Sequence, residues 1–411
     1  MQRYFPNIEK RKGIYLGSIL FPVFFFFVFS FDFHFLWLFY DIAAIFILIK
    51  LMVLKSKFFS ISESFFLVLT LIYFFTLSVL SGHLLFGLLS CWDTFKHLIY
   101  LVLIKKMLNV EFDLTFILFE KRMSKLIIVL FLFQMIAVFF QYYAGYHFDD
   151  ISGTFGAGGS HIVGYFSLLF VVVLYVKHAN NFEMFSGLVI VLLMNAFSEN
   201  AGFIVLLIIL VVGILYADGK LKNYFRMKNF LIVSFFLLVL MVFLNTKIYS
   251  EQGFLDVILT RLSDVLSPGD RQYYTDSYGR GFVMNYAAQL GGWFGQGPGA
   301  FSNIYNFIGF DYQFVVNELV QINISEVTHL LAESGFIGLL LTVVVYSVFL
   351  NNIFESSIYR SVVMSLLIFS MLYSAVLMNE SQTFIFILIV FYLRLLEKRK
   401  ILIASSKRLR F

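Results

Sequence analysis

The sequence predicts an all-α, polytopic integral membrane protein with about twelve transmembrane helices and one long helical loop on the outer side. Three observations predict it. Of 411 residues, 60% are hydrophobic and only 13% charged, with a mean hydropathy of +0.88, far from a soluble average. Apolar stretches of the roughly 20 residues that cross a hydrocarbon core recur along the chain. The basic residues fall on alternate connections between those stretches.

The first span lies near 14–31. It lacks a small-residue cleavage site and runs at once into the next, so it reads as a retained span, not a removed signal. The second, 33–54, contains Asp41, and the third covers 65–82. The fourth, 84–104, carries Asp93, Lys96 and His97. Spans near 125–144, 161–176, 182–197 (a short one), 201–217 and 229–245 complete a nine-helix region, residues 1–245, without an internal repeat. Residues 246–333 form the long outer loop. Spans near 334–350, 358–378 and 382–396, with a basic tail, make the last region, 334–411.

Cytoplasmic connections retain Lys and Arg. With the N-terminus inside, 25 of the 30 basic residues fall on inner segments, from Arg3 and Lys10 through Lys220 and Arg226 to Lys398 and Arg410. The short outer connections hold none; Lys96 and four residues of the long loop are the remainder. Both termini are therefore expected in the cytoplasm and the long loop outside. The net charge of +5 reads as inner-leaflet anchoring and gives no footprint for nucleic acid. The single Cys91 excludes a disulfide framework and a thiolate metal site. The 55 Phe residues read as lipid-facing filler.

Two shorter outer segments carry polar residues. Tyr142 to Ser160 is rich in glycine, including Gly153, Gly156, Gly158 and Gly159. It lacks the Gly-Lys-Ser/Thr ending of a phosphate loop and reads as a flexible turn with Ser160 capping the sixth span, or as part of a cavity lining. Phe197-Ser198-Glu199-Asn200 reads as a tight hairpin at the outer surface. Within the fourth span, Asp93 and Lys96 are spaced to pair along one helix, and Asp41 is a second intramembrane carboxylate.

The long loop has order of its own. Phe254, Leu255, Ile258, Leu259, Leu262, Val265 and Leu266 recur at helical spacing opposite Asp256, Arg261 and Asp264, an amphipathic helix for the membrane face. Ser267-Pro268-Gly269-Asp270 ends it. A second helix is expected over 281–290, stopped by Gly291-Gly292. Gly295, Gly297 and Gly299 then permit close backbone turns before Phe301.

Across 246–333, four basic residues stand against nine acidic ones, so an anion must be met by individually placed arginines. Arg280, between glycines at the opening of a helix, is the best placed. Its planar fork can grip phosphate oxygens, and the helix N-terminus adds amides; pairing with Asp276 is the plainer alternative. Arg271 and Arg261 are weaker candidates. Glu326, His329 and Glu333 share one helix face where the tenth span begins. A histidine beside carboxylates suits a general base, although Ser325 and Glu326 are also what any helix N-terminus favours. One histidine with carboxylates and no second histidine is a poor zinc site, so no metal or cofactor is expected.

In order and placement, several features resemble the O-antigen polymerase and O-antigen ligase superfamily. They are the Gly279-Arg280 turn, Trp293 with Gly295-x-Gly297-x-Gly299-x-Phe301, and His329-x3-Glu333-x-Gly335-x2-Gly338. The motifs cover residues 276–338, and the twelve-span layout matches over the whole chain. The resemblance implies a metal-independent glycosyltransferase of the membrane C type (GT-C). It would act on oligosaccharides carried by undecaprenyl pyrophosphate at the outer face of the bacterial inner membrane. It places Arg280 on the pyrophosphate and makes His329 the loop histidine; Arg271 is read here as an assisting arginine, and Glu333 or Glu326 as the carboxylate that orients His329. The chain departs from the family at Ser198-Glu199-Asn200, where many members have Ser-Arg, and at Ala157-Gly158, where Pro-Asn often stands.

The reading favoured is a polymerase of lipid-linked repeat units into O-antigen or capsule, with lipid bilayer and a chain-length regulator as further partners. A ligase that transfers finished glycan to lipid A core or protein shares these features. A lipid-linked sugar flippase would instead show an inverted repeat and polar residues spread through broken spans.

Overall fold

The computed structural model describes residues 37–53, 59–82, 84–109, 114–146, 151–155, 159–177, 181–198, 200, 202–219, 272–273, 277–278, 280–297, 325–374, 376–377 and 379–408. These are overwhelmingly helical. In chain order come α1 (Trp37–Val53), α2 (Ile61–Leu80), α3 (Leu84–Asn109), α4 (Leu114–Tyr143), α5 (Ser160–Val176), α6 (Asn181–Phe197) and α7 (Gly202–Ala217). The two-residue strands β1 (Gln272–Tyr273) and β2 (Ser277–Tyr278) follow, then α8 (Arg280–Gly291), α9 (Glu326–Asn351), α10 (Ser357–Tyr373) and α11 (Glu380–Arg408).

Among the described residues, three helices are long and apolar enough to cross a membrane: Ile61–Leu80, Glu120–Tyr143 and Glu326–Asn351. Each presents large apolar side chains outward, as lipid-facing surfaces do. Phe65 and Ile72 of α2, Phe133 and Phe140 of α4 and Leu340 of α9 are all exposed. The spans expected over 14–31 and 229–245, the amphipathic helix over 254–266, and Arg271 and Gly299 lie outside the described residues.

Local chemistry moves some helix boundaries from their expected places. α2 begins before residue 65 because Ser60 and Glu63 form a reciprocal capping box: Glu63 N–H donates to Ser60 Oγ at 3.2 Å and Ser60 N–H to Glu63 Oε2 at 2.6 Å. That arrangement satisfies two of the orphan donors of the first turn. α9 likewise starts at Glu326, well before residue 334, with Ser325 Oγ accepting from Thr328 N–H at 3.2 Å. Ser160 does not cap α5. Gly159 takes the cap position without a side-chain bond, and Ser160 is the first helical residue.

The chain divides into two compact units. The first comprises Met1–Phe58, Lys96–Asn200 and Glu380–Phe411, and α5 forms its core. Nearly every α5 side chain is buried, against α4, α6 and α11, with Phe131 of α4 stacked on Phe170. Arg399 of α11 pairs with Glu120 of α4 and donates to Val176 O at 3.0 Å. A cation thus sits on the last carbonyl of α5, where the helix dipole favours it.

Residues 151–155 of the glycine-rich segment are built into this unit. Ile151, Ser152 and Phe155 are buried. Gln141 Oε1 accepts from Ser152 and Gly153 N–H, and its Nε2 donates to Gly153 O at 2.8 Å. Gln134 Oε1 accepts from Thr154 N–H at 2.9 Å, and its Nε2 bonds the Thr154 hydroxyl. Gln134 precedes the end of α4 by nine residues, on the order of 13 Å at the helical rise. The described part of the flexible turn expected here is instead a segment folded back along α4. Two glutamines supply the partners that buried backbone demands. Ser198 and Asn200, expected at the surface, are also buried, and Asn200 Nδ2 donates to Ser160 O at 3.0 Å.

The second unit comprises Phe59–Phe95 and Ala201–Asn379. Here α9 packs on α2, α8 and α10, and α7 packs on α10. Missing side chains let helices approach closely: a Cβ on Gly213 of α7 would lie 2.3 Å from Val362 of α10. Small residues serve membrane helix packing in this way.

Candidate functional site

The helix that carries His329 and Glu333 is broken. Inside α9, Gly335 has φ 64° and ψ −171°, a left-handed backbone that favours glycine. In an unbroken helix Phe336 N–H would bond Ala332 O, and Ile337 N–H would bond Glu333 O. Here all four groups bond the segment that follows α8. Gln296 N–H donates to Ala332 O at 2.9 Å and Gly297 N–H to Glu333 O at 2.9 Å. Phe336 N–H donates to Gly292 O at 3.1 Å and Ile337 N–H to Trp293 O at 3.2 Å. Residues 292–297 thus act as a strap laid into the gap, replacing two lost helical bonds with four bonds of its own. In a setting poor in water each such group left unbonded costs several kcal/mol, so the break and the strap need each other.

Glycines make the contact possible. A Cβ on Gly291 would lie 1.8 Å from Leu331 O, one on Gly295 2.2 Å from Glu333 O, and one on Gly335 2.5 Å from Trp293 C and O. Gly295 and Gly297 have φ of +82° and +111°. The side chains on either side of these glycines turn outward. Trp293 is 71% exposed and Phe294 is also exposed, with Trp293 beside Phe336 at 5.9 Å between ring centroids.

Immediately before the break lie the residues expected to carry chemistry. His329 is 5% exposed and Glu333 2%. His329 Nε2 stands 3.0 Å from Glu333 Oε1, within ion-pair reach but off the line of a hydrogen bond. Glu326, on the same stretch, is turned to another task. Its carboxylate accepts from Leu377 N–H at 3.1 Å and its N–H donates to Ser374 O at 3.0 Å. Glu326 therefore ties the start of α9 to the chain just beyond α10. Of the two carboxylates that could orient His329, the structure sets Glu333 in contact with it.

Arg280 is placed by its backbone as the first residue of α8, the helix that the strap continues. In the β1–β2 ladder Gln272 pairs with Tyr278 and Tyr273 with Ser277. Arg271 precedes this ladder by one residue and Arg280 follows it by two. Sequence reasoning missed Tyr73 of α2, whose hydroxyl donates to Ser334 O and Phe294 O. Nothing in an apolar span marks that tyrosine.

The side chain of Asp93 lies outside the described residues, and the ion pair described for Lys96 reaches another helix. In the first unit, Lys96 of α3 pairs with Asp41 of α1 at 3.2 Å, so the pair joins two helices. Beside it His97 Nδ1 and the Tyr40 hydroxyl lie 2.8 Å apart, and the Tyr100 hydroxyl donates to Tyr40 O at 2.9 Å. Asp41→Asn removes a carboxylate that compensates a nearly buried ammonium and is expected to destabilise by roughly 3 kcal/mol. Thermal melting in detergent measures it. Adding Lys96→Met should restore most of the loss, and a double variant no better than the single would refute the pairing account.

The fold and site together define a helical membrane protein whose glycine strap completes a broken, membrane-length helix. Comparison finds no matching family model, curated protein or solved structure.

Proposed function

We propose that the protein is a polymerase joining undecaprenyl-pyrophosphate-linked oligosaccharide repeat units into O-antigen or capsular polysaccharide. The reaction is a metal-independent glycosyl transfer at the outer face of the inner membrane, on a twelve-span GT-C scaffold with both termini cytoplasmic. One observation carries this reading: the buried His329–Glu333 pair sits on the half-helix whose break is filled by the strap that follows the Arg280 helix. A general base and an anion-binding helix start are thereby tied to one joint of a membrane helix.

In the proposed reaction, a hydroxyl of the acceptor sugar attacks the anomeric carbon at the reducing end of the growing chain. The new C–O bond forms as the bond to pyrophosphate breaks, and the undecaprenyl pyrophosphate leaves with the electron pair. The hydroxyl proton passes to His329. With Nε2 turned to Glu333, Nδ1 is the nitrogen that takes it, and the carboxylate stabilises the imidazolium formed. Burial strengthens that interaction. Arg280, aided by the N-terminal amides of α8 and by Arg271, neutralises the leaving pyrophosphate.

The test uses purified protein in lipid vesicles supplied with a lipid-linked repeat unit, with products sized on a gel. Wild type is expected to build a ladder. Arg280→Ala and Arg280→Lys should both fall by at least tenfold, because Lys cannot reproduce a bidentate grip on phosphate. No ladder from wild type would refute the function, and a full ladder from Arg280→Lys would refute the bidentate contact.

A further inference from the structure

Tyr73 lies on α2, the membrane-length helix packed against α9. Its neighbours Leu69, Ile72 and Phe75 are exposed apolar residues, but its own hydroxyl reaches inward. It donates to Ser334 O at 2.7 Å and to Phe294 O at 3.1 Å. A phenol has one proton, so the two carbonyls share it, the shorter contact taking the larger part. Ser334 is the last residue before the break, and Phe294 is in the middle of the strap. The ring lies beside Gly338, in the turn of α9 after the break. A Cβ there would stand 3.3 Å from Tyr73 Cε1. Ring and hydroxyl together therefore touch both halves of α9 and the strap.

We propose that Tyr73 is a positioning residue for the His329–Glu333 pair. By holding the Ser334 and Phe294 carbonyls on one hydroxyl, it sets the angle at the α9 break and hence the attitude of the half-helix that presents His329. The hydroxyl does this and the ring does not, since the ring would pack equally well as phenylalanine. The chemical consequence rests on the function proposed above, while the mechanical one stands without it.

The experiment compares wild type with Tyr73→Phe in lipid nanodiscs by two readouts. Hydrogen–deuterium exchange follows the amides of Gln296, Gly297, Phe336 and Ile337. Vesicle assays separate kcat from KM for chain extension. In Tyr73→Phe those four amides are expected to exchange about five- to tenfold faster, the effect of one lost hydrogen bond, with amides of α10 unchanged. The kcat should fall by a similar factor at unchanged KM. Unaltered exchange at the strap overturns the proposal. Faster exchange with unaltered kcat also overturns the positioning role, and leaves the function standing. If wild type extends no chain, the function falls, and the exchange comparison alone decides whether Tyr73 holds the joint.

Discussion

His329→Gln is expected to lower polymer formation by two to four orders of magnitude, the usual contribution of a general base, while leaving the protein folded. Glutamine fills most of the histidine volume and offers an amide donor to Glu333, which otherwise stands 3.0 Å from Nε2. It therefore avoids stranding a buried carboxylate, which would cost several kcal/mol. It cannot accept the acceptor hydroxyl's proton. Glu333→Gln should be milder, since the base survives and only its orientation and charge compensation are lost. The vesicle assay gives the rates and a melting curve shows that the fold persists. A His329→Gln protein that polymerises within a few-fold of wild type would remove His329 from the chemistry.

Gly295→Ala is expected to destabilise the second unit by roughly 3 kcal/mol or more, from a strained left-handed residue together with lost backbone bonds. The added methyl would lie 2.2 Å from Glu333 O and 2.5 Å from Ser334 Cα, both backbone atoms that no rotamer change can move aside. The strap must lift, and the bonds from Gln296 and Gly297 to the broken helix go with it. Gly292→Ala supplies the control. Its φ is +54° but no atom lies within 4 Å of the added Cβ, so only the conformational penalty of about 1–2 kcal/mol remains. Melting temperatures of the two variants should separate clearly. Equal losses would mean that the strap is not seated in the break.

Local chemistry explains what the sequence made legible. Helical periodicity and apolar run length located α2 to α7 and α9 to α11, and the run ending in Gly291-Gly292 marked the end of α8. His329 and Glu333 were readable as partners because four residues is one helical turn. What stayed hidden depends on partners distant in sequence. Gly335 stood in plain view, yet a break there is tolerable only because residues 292–297 supply its bonds, and no window of local sequence contains both. Tyr73 acts on Ser334, 261 residues away. Asp93 was readable as a partner of Lys96 because i, i+3 spacing permits it, but nothing local announced that Asp41 of α1 also reaches Lys96. Glu326 was readable as a member of the same helix face, but not the bond it accepts from Leu377 N–H, 51 residues away. Ser160 was expected to cap α5 by residue type alone, but Gly159 holds the cap position.

Surface glycan from cells lacking the gene, run on a gel beside wild type, tests the central claim most directly. Core carrying a single repeat unit and no ladder is expected, restored by the wild-type gene and not by His329→Gln. Loss of all attached glycan, with long polymer stranded on undecaprenyl pyrophosphate, would contradict polymerisation and mark the protein as a ligase. An unchanged ladder would contradict both.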